Sequence, residues 1–259
     1  MNNREFAEKL VKIATKYKTL YVMGCFGAPM TKQNKARYTK NHPYNRQAVR
    51  TEMISSATED TFGFDCSGLI KSVLWGYSAD KSDKYGGAKY ASNGVPDLSA
   101  DSLIKLGKSS ADFSNIEVGE VVWVKGHIGV YVGDGKVVEC TPKWTNDVQI
   151  TNLGNVPKFK RDNYRVWSLH SKIPYITYEA QENNAPETSQ NATEAAKPDT
   201  STKNPPNTLR EHTVKKNETL WGIATRYLHS GLRYTEIKKL NGLTSDIIYV
   251  GQVLKIPEI

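Results

Sequence analysis

The sequence predicts an α+β domain, then a segment without a fold of its own, then a small βααβ module, over 259 residues. Three observations carry this. Apolar residues recur at helical spacing in the first half, as Phe6, Leu10, Ile13 and Tyr17 and again as Leu69, Ile70, Val73 and Leu74. From Val121 the apolar period changes to two. Residues 179–208 contain four prolines and no Val, Ile, Leu, Met or aromatic residue. Such a stretch buries too little apolar area to offset the entropy of ordering it, so it is expected to be a flexible linker between residues 1–178 and 209–259.

Each element follows from local pattern. Residues 2–17 read as an amphipathic surface helix, with charges between the apolar positions. They lack the run of about 7–15 apolar residues of an export signal, so the protein is expected to stay in the cytoplasm of its producing cell until something releases it. Leu20 to Gly24 is a short apolar segment, and about 28–61 is a long polar stretch to which no element is assigned. A helix is expected after Asp65, and another from the N-cap Ser99 through Leu106. Val121–Val124, Ile128–Val132 and Lys136–Cys140 read as successive antiparallel strands, with Gly133-Asp134-Gly135 as a hairpin turn. Short apolar runs follow at Val148–Ile150 and Tyr164–Trp167. Helices first and a small antiparallel sheet afterwards make the first domain α+β. The C-terminal module reads as strand (Thr213-Val214), helix (Leu220–Tyr227, capped by Thr219 or Asn217), helix (Tyr234–Leu240) and strand (Val253–Ile256). Leu220, Ile223, Ile237, Leu240, Leu254 and Ile256 are its expected core.

Composition removes several function classes. No run approaches the roughly 18 apolar residues needed to span a bilayer. Three cysteines exclude a disulfide scaffold, and the odd number leaves a free thiol. The formal charge of +8 divides as +8 over residues 1–178, −3 over 179–208 and +3 over 209–259. A basic chain suits an anionic partner: nucleic acid, a membrane surface or a cell-wall polymer. No recognition-helix or RNA-platform motif is present, which places nucleic acid last.

Cys66, in Phe64-Asp65-Cys66-Ser67-Gly68, directly precedes an amphipathic helix. A thiol at a helix N-terminus meets unpaired N–H groups and the positive end of the dipole, both favouring thiolate. A nucleophilic cysteine needs a base, and the base needs an acceptor to hold its ring. His127 at a strand start and Glu139 on the next strand supply them. With Gly133-Asp134-Gly135 as a three-residue loop, Val132 pairs with Lys136 and Glu139 lies opposite Gly129. Glu139 is then diagonal to His127 on the same face, about 7–8 Å away at the backbone. A two-residue loop puts Glu139 on the wrong face. Gly129 is expected to leave space for substrate. The competing reading is a buried free cysteine, a surface histidine and an edge glutamate.

Together, Phe64 to Ile70, Gly119-Glu120-Val121-Val122-Trp123 and Gly126 to Gly135 resemble the NlpC-type, papain-like cysteine hydrolases of bacterial cell walls; the related CHAP amidases share the layout. Leu20 to Gly24 is similar to the segment that places a tyrosine in the site of those enzymes. The resemblance covers most of residues 5–175. It implies Cys66 as nucleophile, His127 as base, Tyr21 in the site, and Asp65 and Ser67 beside the substrate; the place of Cys66 at the helix start makes its N–H the expected oxyanion donor. Glu139 departs from the His, Asn or Gln usual in the NlpC group and is closer to CHAP practice. The 28–61 insertion, between Tyr21 and Cys66, is a second departure. Trp123, Trp144 and Trp167 suit a core, with walling of the substrate groove as the alternative for Trp144. Cys25 and Cys140 read as packing residues. His42, His170, His212 and His229 show no metal-ligand spacing, so neither metal nor cofactor is expected.

Residues 212–257 resemble a single LysM domain: Thr-Val, Glu-Thr-Leu-Trp, Ile-Ala, Leu-Asn and Ile-Tyr-Val-Gly-Gln-Val-Leu-Lys-Ile-Pro fall in register. That resemblance implies binding of N-acetylglucosamine-containing glycan between the loop Asn217-Glu218-Thr219 and the loop Leu243-Thr244-Ser245-Asp246-Ile247. Asn217-Glu218 stands where the family prefers Gly-Asp. The combined expectation is a monomeric, endolysin-like peptidoglycan hydrolase, of phage or prophage type, that cleaves a stem-peptide amide and is tethered to glycan by its LysM module. N-acetylmuramoyl-L-alanine amidase activity is the alternative within the class. A non-catalytic wall-binding or virion structural protein is the alternative outside it.

Overall fold

The opening helix forms where Phe6, Leu10 and Ile13 place it. The computed structural model describes residues 1–178, 210–215, 218–243 and 248–258, and α1 spans Asn3–Lys16 within it. The Asn2 side chain accepts from the Glu5 N–H at 2.8 Å, and the Glu5 carboxylate accepts from the Asn2 N–H at 3.1 Å. This reciprocal box satisfies donors that a helix start leaves orphaned. The chain divides into two compact units, Met1–Tyr178 and Glu179–Ile259. The expected linker, 179–208, lies outside the described residues.

In the first unit, β1 (Lys18–Tyr21), β2 (Phe26–Pro29) and β3 (Thr61–Phe64) make a small sheet in the order β1-β3-β2, with β1 and β3 parallel. The stretch to which the sequence assigns no element holds two helices, α2 (Lys32–Asn41) and α3 (Ala48–Ser56). They escape a periodicity search because α2 buries only Asn34 and Tyr38, and α3 only Arg50 and Ile54. The Thr31 side chain caps α2.

Next comes α4 (Cys66–Leu74), with all nine residues buried. Ser99 caps α5 as expected, but α5 covers only Ala100–Leu103 and stops short of Leu106. The main sheet contains β4 (Val121–Val124), β5 (His127–Gly133), β6 (Lys136–Thr141), β7 (Asp147–Leu153), β8 (Tyr164–Arg165) and β9 (Leu169–Ser171). Its order is β8-β7-β6-β5-β4-β9, antiparallel except for the parallel β7–β8 pair. The α+β expectation holds, and the main sheet is larger than a three-strand reading suggests.

The hairpin reaches the expected register by another route. Gly129 pairs with Glu139, as the three-residue loop requires, but it is Gly133, not Val132, that pairs with Lys136. The turn is Asp134-Gly135, with φ of 47° and 64°. That is the geometry of a tight two-residue turn. The extra residue sits in the strand, where the register shifts between Tyr131 and Gly133. A β-bulge of this kind puts two residues opposite one, and it restores Glu139 to the face of His127.

The second unit pairs β10 (Arg210–Thr213) antiparallel with β11 (Val253–Ile256), with α6 (Leu220–Leu228) and α7 (Tyr234–Leu240) between them in the chain. Thr219 caps α6 through the Gly222 N–H at 3.0 Å. Leu220, Ile223, Ile237, Leu254 and Ile256 are buried, but Leu240, in the last turn of α7, is exposed. The Asn241 side chain takes over there, exchanging two 2.7 Å hydrogen bonds with the Lys255 backbone on β11. No helix among the described residues is long and apolar enough to cross a membrane.

Candidate active site

Asp65 fixes the start of α4. One carboxylate oxygen accepts from the Gly68 N–H at 2.6 Å and from Ser67 Oγ at 3.2 Å; the other accepts from the Gly24 N–H at 2.8 Å. Gly68 is required there, since a Cβ would stand 2.1 Å from the Cys25 carbonyl oxygen. These contacts tie the loop before β2 to the helix start and present Cys66 at its first position, 8% exposed. The backbone N–H of Ile128, the residue after His127, reaches the Cys66 sulfur. Burial, and next the charge of Asp65, push this thiol up to about 12, against the backbone N–H groups of Ile128, Ser67 and Cys66 that pull it down. The helix terminus favours thiolate, as the sequence suggests, but desolvation is the larger effect.

His127 opens β5. The turn before it is pinned by Asp101, which accepts from the Gly126 N–H at 2.9 Å and from Trp123 Nε1 at 2.8 Å. The imidazole uses Nε2 to meet Glu139 Oε2 at 2.7 Å, which leaves Nδ1 free of Glu139. Its ring stacks on the buried Trp167 at 5.6 Å and 15°.

Glu139 has no exposed surface. Besides His127, Thr151 Oγ1 donates to its Oε1 at 2.6 Å, and Arg165 donates to Oε2 through Nε at 3.0 Å and Nη2 at 2.8 Å. Burial pushes the carboxyl up, but the hydrogen bond and charge of His127, with those of Arg165, more than offset it and hold it below its ordinary value. Arg165 escapes a sequence search because it sits inside an apolar run, on a two-residue strand at the sheet edge. Gly129 does not leave room for substrate: a Cβ there would meet Val137 at 2.8 Å and Glu139 Cβ at 3.2 Å. Its smallness admits the glutamate.

Tyr21 ends β1 and is buried beside the thiol; burial, and then Cys66, raise its phenol. The 28–61 insertion braces it. Tyr44 packs edge-on at 5.9 Å, and the Arg50 guanidinium lies over the Tyr21 ring at 5.6 Å while donating to Asn146 in the β6–β7 loop. In that loop Trp144 takes the left-handed conformation, φ 62°. An aromatic residue adopts it only when its surroundings enforce it. Its ring centre has Lys143 Nζ at 4.4 Å and Arg165 Cζ at 5.4 Å, so Trp144 borders the site through Arg165 and is half-buried rather than core. Trp123 is also half-buried. A cleft of about 620 Å³ starts at Asp65, Ser67 and Gly68 and runs to Arg37, Tyr38 and Tyr85.

In the second unit, Glu218 accepts from His212 Nε2 at 2.6 Å, the Lys215 N–H at 2.8 Å and Arg226 Nη1 at 2.6 Å. The backbone bond from Lys215, then the bond from His212, bring it down to about 2. Thr219 is the α6 cap, and Leu243 packs against the core. Asn217 and the segment Thr244, Ser245, Asp246 and Ile247 lie outside the described residues.

Residues 42–162 match the NlpC/P60 family and residues 212–257 match the LysM domain. The chain carries an NlpC/P60 domain followed by a LysM domain. Among curated relatives, it is 47% identical over 47 residues to Autolysin of Enterococcus faecalis, 18% of this chain and 6% of that protein. It is 51% identical over 43 residues to the Probable peptidoglycan endopeptidase LytE of Bacillus subtilis, 17% of this chain and 12% of that one. It is 42% identical over 50 residues to the N-acetylmuramoyl-L-alanine amidase sle1 of Staphylococcus aureus, 19% of this chain and 14% of that one. The matches thus span only a small part of these relatives. Among solved structures, the peptidoglycan hydrolase RipB of Mycobacterium tuberculosis is 16% identical, with 66% of each chain covered and a TM-score of 0.32. NlpC2 of Trichomonas vaginalis is 18% identical, covering 66% of this chain and 46% of that one, with a TM-score of 0.33. The α2 helix and Arg37 precede the part of the chain that matches the NlpC/P60 family.

Proposed function

We propose that the chain is a peptidoglycan hydrolase whose NlpC/P60 domain cleaves a stem-peptide amide by cysteine chemistry while its LysM domain holds glycan. The 2.7 Å contact of His127 with the buried Glu139, on the strand whose Ile128 N–H reaches Cys66, carries this reading. The Cys66 sulfur attacks the amide carbonyl as its proton passes to His127. The imidazolium returns that proton to the leaving amine. Water then hydrolyses the thioester, and Cys66 regains its proton. Glu139 holds the ring through Nε2, and the Cys66 N–H is the oxyanion donor. A tether to glycan raises the local concentration of peptide bonds around the catalytic unit.

Two bonds compete within this chemistry. The NlpC-like surroundings of Asp65 to Gly68 favour a peptide bond, whereas Glu139 as orienting acceptor favours the muramoyl–L-alanine amide of an amidase. Mass spectrometry of fragments released from purified walls separates them: truncated stem peptides are expected, and sugar-only strands would move the assignment to amidase. Absence of any soluble fragment would leave a wall-binding protein.

The cleft beside Ser67 is the proposed peptide groove, with Arg37 as anchor for a stem-peptide carboxylate. Its guanidinium stacks over Tyr38 and Tyr85 at 5.7 and 5.1 Å, and its Nη1 is buried without a hydrogen-bond partner among the described residues. A planar, pre-oriented fork of this kind matches a carboxylate. Arg37→Gln is expected to slow cleavage of a carboxylate peptide about tenfold and to leave its carboxamide analogue unchanged. Equal losses on both would exclude the anchor.

A further inference from the structure

We propose that Arg165 is a positioning residue that balances the charge of Glu139, so that His127 is not held as imidazolium and stays available as a base. This rests on the Cys66–His127 reading above. A buried carboxylate 2.7 Å from an imidazole favours its protonated form. That suits an enzyme with a preformed thiolate–imidazolium pair. It does not suit one whose thiol is protonated and needs a neutral base to deprotonate it.

Arg165 answers that problem by where it binds. Both of its bonds, at 3.0 and 2.8 Å, go to Oε2, the oxygen that also meets His127. Thr151 holds Oε1 at 2.6 Å, so the carboxylate cannot rotate away from either partner. The guanidinium lies over Trp144 at 5.4 Å and over Trp167 at 5.3 Å, and Trp167 also stacks on the His127 ring. One tryptophan therefore registers both the guanidinium and the imidazole against a single oxygen. With Arg165 in place the carboxylate is already paired, and a proton on His127 adds a net positive charge to a site largely withdrawn from water.

Other groups facing this pair do not replace Arg165. Cys66 on α4 has the backbone N–H of Ile128, the residue after His127, beside its sulfur. Asp101 on α5 bonds the neighbouring turn, where Lys125 offsets it. On β7 Glu139 faces Gln149 by register and Thr151 by hydrogen bond, both uncharged.

The alternative is that Arg165 merely fastens β8 to the sheet edge. The two differ in the pH dependence of the initial rate of wall solubilisation by the full chain. Arg165→Met is expected to move the acid limb up by about one pH unit, while Arg165→Lys keeps the limb near its original place with a lower rate. An unchanged limb in a folded Arg165→Met variant, whatever its rate, overturns the proposal. A second comparison does not need that variant to fold. Glu139→Gln alone leaves Arg165 unbalanced, whereas Glu139→Gln with Arg165→Met removes both charges. The limb is expected to lie higher in the double variant, and coincident limbs overturn the proposal. Both comparisons use rates abolished by Cys66→Ala, so a wild type with no such rate rejects the function itself, not the role of Arg165.

Discussion

Replacing Cys66 with alanine is expected to lower the release of wall fragments by on the order of 10⁴-fold or more, since the proposed mechanism has no other group to form the acyl intermediate. Cys66→Ser should stay nearly as inactive, because a hydroxyl is harder still to deprotonate at this buried position. Cys25 and Cys140 have no exposed surface. Iodoacetamide should therefore modify the native protein at Cys66 alone, and all three cysteines after denaturation. The rate of that modification carries a second expectation. Because burial and Asp65 push the thiol up to about 12, it should climb steadily with pH rather than level off. A plateau below about pH 7 would mean that the thiolate is preformed and that the helix terminus prevails over desolvation.

That contrast marks where the sequence stops being legible. Asp65 before an apolar helical repeat is a local signal, and it places both the cap and Cys66 correctly. Whether the thiol is desolvated depends on Tyr21 and Ile128, brought in by strands far away in the chain. The face shared by His127 and Glu139 was readable because strand alternation leaves only two choices. The device that selects the face was not, because a bulge at Val132 and an extra residue in the turn give the same register downstream. The insertion was opaque for another reason: α2 and α3 each bury a single apolar side chain, Tyr38 or Ile54. Arg50, which braces Tyr21, therefore has no periodic context to announce it. Arg165 is the strongest case. Its strand is two residues long and pairs in parallel with β7, so its meeting with Glu139 is purely tertiary.

Removing Glu139 should reveal how much of the unit's stability that meeting holds. Glu139→Ala leaves Arg165 largely buried without its carboxylate, and it strips His127 and Thr151 of their acceptor. Breaking one side of a buried pair typically costs about 3–5 kcal/mol, well beyond an exposed ion pair. Urea unfolding should show a loss of that size. Glu139→Gln keeps the shape and part of the hydrogen bonding, so it should lose less. The sign of the pH dependence separates charge from packing. Glu139 is held below its ordinary value of 4.5 in the folded chain. Its ionic contribution is thus complete above that value and disappears as pH falls through the folded one. The stability gap between wild type and Glu139→Gln should accordingly be widest near neutrality and close as the pH falls below 4.5 and through the lowered folded value. The gap to Glu139→Ala should persist in acid, since a cavity does not titrate. A Glu139→Gln gap that stayed constant with pH would mean that the carboxylate contributes by shape alone.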